Sequence, residues 1–200
     1  DLILAGEFLL FAVLFIKSAS SSKRAAAWSS SFLMLAGAFL IGAIAHGFQM
    51  PAKINKLLWL FLAVGSAFGL AQLVSASVGE WRSTWYKKSV LGMSLAALAF
   101  IGITVKYSSF SVYVVFIVIN MALVSWLNAI CFDKSGNKNH LLIVFGALFT
   151  AIASLVQLFK SIHFTIIWEF DYNGAFHLVQ MLAGLFLGLG INGLMKTAGF

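Results

Sequence analysis

Two histidines, His46 and His177, and two carboxylates, Glu7 and Asp171, stand inside or beside long apolar stretches of this chain of 200 residues. Neutral imidazole is a common ligand for zinc and copper, and carboxylates complete such sites. Both histidines with Glu7 or Asp171 would supply three ligands and leave a position for water, as in a hydrolytic zinc centre. In that reading His46 and His177 hold the metal, and Glu7 or Asp171 is the third ligand or the general base. Gln49, His163, Asn173 and Gln180 are the supporting polar groups. Two histidines on separate helices could instead ligate haem axially. Zinc is therefore the expected cofactor, with copper or haem behind it. The plainer alternative is that these groups satisfy one another: His46 pairs with Glu7, and His177 bonds the loop before it.

Spacing supports a shared site. Gly42, His46 and Gln49 fall at i, i+4 and i+7, one face of a helix. His177, Gln180, Met181 and Gly184 fall at i, i+3, i+4 and i+7. Two polar faces with small residues beneath them suit a cavity between helices.

The elements that must position these groups follow from composition. The chain is 62% apolar and 10% charged, with a mean hydropathy of +0.99. Soluble domains sit near half apolar and a quarter charged, so a water-facing surface cannot be built from these residues. Disorder is excluded by the same excess, and a disulfide scaffold by the single cysteine, Cys131. A net charge of +7 raises the question of nucleic acid, but the bases occur in ones to threes between apolar runs, so no nucleic-acid partner is expected.

Crossing a hydrocarbon core takes roughly 20 apolar residues. Seven runs approach or reach that length, at about 2–16, 25–48, 57–78, 90–105, 110–131, 141–159 and 175–195, the first of them short at its start. The fold class expected is all-α, an integral membrane seven-helix bundle forming one transmembrane domain over residues 1–200. Bases follow the first run, the reverse of a signal peptide, so it reads as a retained helix.

Lys17, Lys23, Arg24, Arg82, Lys87, Lys88, Lys134, Lys138 and Lys196 then fall on one side, against Lys53, Lys56, Lys106 and Lys160 on the other. The positive-inside rule puts the N-terminus outside and the C-terminus in the cytoplasm. Glu7, His46, Gln49, His163, Glu169, Asp171, Asn173, His177 and Gln180 then share the outer level. Glycine pairs Gly65/Gly69 and Gly184/Gly188 predict close helix packing. Gln72, Asn120 and Asn128 read as interhelical hydrogen-bond glue, and His140 as a solvated loop residue. Trp81, Trp85 and Tyr86 with Arg82, Lys87 and Lys88 form an interfacial aromatic belt. Ser18 to Ser22 reads as a flexible turn.

Seven helices, the segment Ala45-His46-Gly47-Phe48 and the segment Phe170 to Gln180 around His177 resemble the alkaline ceramidase and adiponectin-receptor-like superfamily. Pieces of this kind also resemble those of uncharacterised bacterial seven-helix membrane proteins. The superfamily resemblance implies a membrane-embedded zinc hydrolase of lipid amides or esters, with His46 and His177 as ligands. The family's helix-2 serine is replaced by Gly42 and its second helix-7 histidine by Met181, and no acid occurs between Lys53 and Gly79. The third ligand would then be Glu7 or Asp171. Membrane lipid is the partner implied, in a bacterial inner (cytoplasmic) membrane. A non-catalytic subunit with membrane-protein partner subunits, or a bis-histidine haem redox protein, are the alternatives.

Overall fold

A computed structural model describes residues 1–18, 23–107, 109–159, 161–165 and 169–197. Among the described residues there are seven α-helices: α1 (Leu2–Ser18), α2 (Lys23–Gly47), α3 (Ala52–Trp81), α4 (Tyr86–Tyr107), α5 (Phe110–Ser135), α6 (Asn139–Val156) and α7 (Tyr172–Thr197). Six of them, α2 to α7, are long and apolar enough to cross a membrane. With no water to bond backbone groups in a bilayer, helices satisfy them internally. The expected loop before α7 contains a two-stranded antiparallel ribbon, β1 (His163–Thr165) and β2 (Glu169–Asp171), with His163 opposite Asp171. The serine run falls largely outside the described residues, apart from Ser18 at the end of α1.

Helix ends differ from the apolar runs for a physical reason. An apolar run measures the hydrocarbon slab, whereas a helix continues through the headgroup layer. α3 therefore starts five residues earlier than the run at 57 and carries Lys53 and Lys56 in its first turns. Pro51 precedes it with φ −54°, a geometry suited to a helix start. α2 stops at Gly47, so Gln49 lies in the connection and not on the helical face of His46. At the end of α5, Gly136 takes the left-handed conformation (φ 67°) and donates its N–H to Phe132 O at 2.7 Å, which turns the chain into α6.

Neighbouring pairs α1–α2, α2–α3, α3–α5, α5–α6, α6–α7 and α7–α1 close a six-helix ring. α4 packs mainly on α3, outside the ring, and buries only Ala97 and Phe100. In lipid, packing contacts rather than water exclusion hold helices together. An aromatic seam of Phe8, Phe11 and Phe15 with Phe32 supplies them between α1 and α2; Phe8 and Phe32 stack at 4.8 Å. The glycine pairs act as their spacing predicts. Gly184 lies against Glu7 and Phe8, Gly188 against Phe11, Gly65 against Ala38 and Gly69 against Leu35.

His140 corrects the sequence reading. It is 6% exposed, on the first turn of α6, with Nδ1 2.9 Å from Asn128 Oδ1. Asn128 Nδ2 in turn donates to Ser77 Oγ at 3.1 Å, tying α6, α5 and α3 together. A short connection after Gly136 brings His140 inside the bundle, where charge counting near Lys138 had placed it in solvent.

Candidate functional site

At one end of the ring a cavity of about 360 Å³ enters between α1, α2, α3, α5, α6 and α7. Its size is that of a small-molecule site. Asp1, His46, Trp59, Phe110, Tyr172 and His177 line it near the helix ends. Deeper in, Ser66, Tyr113, Thr150 and Gln180 contribute neutral hydrogen-bonding groups. Leu70, Leu73, Ile117, Met121 and Leu187 line its apolar part. Polarity thus falls with depth.

Each wall is fixed by its own hydrogen bonds. Tyr113 Oη donates to Ser66 Oγ at 2.8 Å, joining α5 to α3. Gln180, 4% exposed, donates Nε2 to Thr150 Oγ1 at 3.3 Å, joining α7 to α6. Gln157 Nε2 donates to Asn173 Oδ1 at 3.4 Å. His46 meets the Trp59 ring edge to face at 5.0 Å between centroids. His177 Nε2 lies 3.5 Å from Asp1 Oδ1, and its Nδ1 is buried without a hydrogen-bond partner. The Asp1 carboxylate also faces Gly42: a Cβ there would be 3.7 Å from Asp1 Oδ2.

The structure therefore brings His46, His177, Asn173 and Gln180 to one cavity, and it does not bring Glu7 or Asp171 among the lining residues. Glu7 points from α1 onto Gly184, with Oε1 buried and lacking a hydrogen-bond partner. Asp171 accepts the Gly174 N–H at 2.8 Å and caps the start of α7. His163 and Glu169 are exposed on the ribbon, and Gln49 is exposed beyond α2. Asp171→Asn keeps a good cap and removes a charge. It is expected to change thermal stability by less than about 0.5 kcal/mol and to leave ligand binding unaltered; a large loss of binding would make Asp171 a site residue.

Sequence reasoning missed Asp1 and the α6 wall. The signal for α6 was there: Thr150, Ser154 and Gln157 are at i, i+4 and i+7 and all line the cavity.

Zinc needs three or four donors, each about 2 Å from the ion. Among the described residues no group of three His, Cys, Asp or Glu side chains is placed to hold a metal ion. The donors assembled here do not fit zinc.

Fold and cavity together define a polytopic helical membrane protein with a polar-mouthed chamber inside its ring. Residues 1–196 match DUF6962, a family of unknown function, and the chain belongs to that family. No curated protein and no solved structure matches it.

Proposed function

We propose that this protein binds an amphipathic, lipid-like molecule in its ring. The observation that carries the reading is the gradient along one cavity, from Asp1, His46 and His177 at the mouth to Leu73, Met121 and Leu187 within. A headgroup would meet hydrogen-bonding and titratable side chains at the mouth, and its chain would lie against aliphatic ones. In this reading all seven helices span the membrane, with the N-terminus outside and the C-terminus in the cytoplasm. The division of nine bases against four between the two ends supports that orientation. The site then opens at the outer leaflet of a bacterial inner membrane.

The test is to fill the chamber. Met121→Trp and Leu73→Trp are expected to cut binding of a fluorescent fatty acid at least tenfold, measured by titration of the purified protein in detergent. Gln180→Leu is expected to cut it several-fold by removing a wall donor. Unchanged binding in correctly folded Met121→Trp and Leu73→Trp proteins would defeat the proposal. A metal-dependent hydrolase of lipid amides or esters would use the same chamber and the same ligand. Elemental analysis separates the two: stoichiometric zinc, copper or haem iron lost in His46→Ala and His177→Ala would favour the metal reading.

A non-catalytic subunit is a second reading, supported by α4. Its outer face presents Leu91, Leu95 and Leu98 at i, i+4 and i+7, each more than half exposed. Stoichiometric co-purification of another membrane protein in mild detergent, lost in Leu95→Glu, would favour it.

A further inference from the structure

The end of the ring opposite the cavity carries a cluster that the binding reading does not use. Arg82, in the extended residue between α3 and α4, holds its guanidinium 4.8 Å from the centroid of the Trp81 ring. Lys134, on the last turn of α5, holds its ammonium 5.8 Å from the same ring. Cations from two elements thus converge on one indole. Nearby, Lys88 lies 6.0 Å from the half-exposed Trp85 ring. Trp126, 57% exposed on α5, stands 6.4 Å from Trp81. Trp126 lies eight positions before Lys134, which places it roughly 12 Å deeper along the helix axis.

We propose that Arg82 and Lys134, seated on Trp81, bind the phosphate of an acidic phospholipid. Each cation is held by the ring quadrupole and still keeps N–H donors for phosphate oxygens. Trp126 lies toward the hydrocarbon and offers an apolar face to the glycerol and upper acyl region, as interfacial Trp does. Among the described residues the acids at this end are Glu80 and Asp133, and the sequence assigns nine bases to the same side, so the local potential favours an anion. A free phosphate ion would meet the same two cations but would gain nothing from Trp126. The arrangement of charge outward and exposed indole inward favours the lipid.

Native mass spectrometry of the full chain in mild detergent tests this with phosphatidylglycerol, phosphatidylcholine and inorganic phosphate added separately. Using the Met121→Trp background removes ligand held in the central chamber. Phosphatidylglycerol is expected to bind at least tenfold more tightly than phosphatidylcholine. Each base near an anionic headgroup contributes about fivefold in affinity. Arg82→Gln with Lys134→Gln should therefore weaken phosphatidylglycerol at least tenfold, and Trp126→Ala should weaken it several-fold. Lys53→Gln with Lys56→Gln, at the other end, should leave it unchanged. No preference for the acidic lipid would overturn the proposal, as would equal loss in the two double variants. Displacement by millimolar inorganic phosphate would reassign the site to a free anion and also overturn it.

Discussion

Gly146→Val is expected to lower the stability of the folded bundle by about 3 kcal/mol or more, the largest effect of any single substitution considered. A Cβ on Gly146 would lie 2.6 Å from Leu187 Cγ, 2.7 Å from Leu187 N and 2.8 Å from Ala183 O. Two of those three atoms belong to the α7 backbone and cannot rotate away. The helices α6 and α7 must separate, and the Gln180–Thr150 bond on the cavity wall separates with them. Other glycines supply the contrast. At Gly69 the nearest obstacles are side-chain atoms of Leu35, which can repack, so a smaller loss is expected. At Gly102 on α4 nothing lies within 4 Å, and Gly102→Ala should be neutral or stabilising by up to about 1 kcal/mol. The buried single cysteine, Cys131, provides the readout: a thiol-reactive dye labels it as the protein unfolds on heating. A Gly146→Val protein melting within about two degrees of the parent would refute the close-approach argument.

Asn128→Leu is the second large effect, expected to cost about 2 kcal/mol. Asn128 is fully buried, donates Nδ2 to Ser77 Oγ and to Val124 O, and accepts through Oδ1 from His140 Nδ1. Because a carbonyl oxygen only accepts, the contact requires the proton on Nδ1 of His140. Interhelical hydrogen bonds in membranes average about 0.6 kcal/mol and reach about 1.7. Two are lost here, and the cost falls unevenly. Ser77 keeps its bond to Leu73 O at 3.0 Å, whereas His140 loses its Asn128 partner in a buried position. Adding His140→Leu to Asn128→Leu should therefore recover about 1 kcal/mol relative to the sum of the single variants. Strict additivity of the two in thermal unfolding would mean that the residues do not act as a pair.

The helical membrane class was legible because it rests on bulk quantities. Scarce charge, abundant Phe and seven apolar runs leave no other way to satisfy the backbone. The small-residue pairs were legible for a related reason, since i, i+4 spacing puts both glycines on one face whatever the neighbour is. Which helices would be neighbours was not legible: the pairing of α3 with α5, past α4, depends on side-chain packing between segments far apart in the chain. The candidate site divides along the same line. His46 and His177 come to one cavity because both lie near helix ends at the same level, a property of counting residues along an axis. Glu7 shares that level yet faces Gly184, because rotation about the helix axis decides what a side chain meets. Asp171 is taken up by the local backbone need of α7, which the residue three positions before Gly174 satisfies. His140 reads as solvated from its place beside Lys138, and the tight turn after Gly136 that carries it into the interior is not visible in charge counting.

The position of α4 outside the ring has a consequence for chain direction. Adjacent spans normally alternate, but α3 and α5 are ring neighbours that both begin at the cavity end, as Trp59 and Phe110 on its lining show. Two neighbours running the same way need a return stroke between them, and α4 is that stroke. Its duty is to bring the chain back across the bilayer; only Ala97 and Phe100 are buried, with Tyr86, Met93 and Ile101 half-buried against the core. Most of its remaining apolar side chains face away from the ring. A deep mutational scan should therefore find α4 the most permissive span for apolar exchange and its deletion among the least tolerated changes, because loss of one crossing inverts every helix after it.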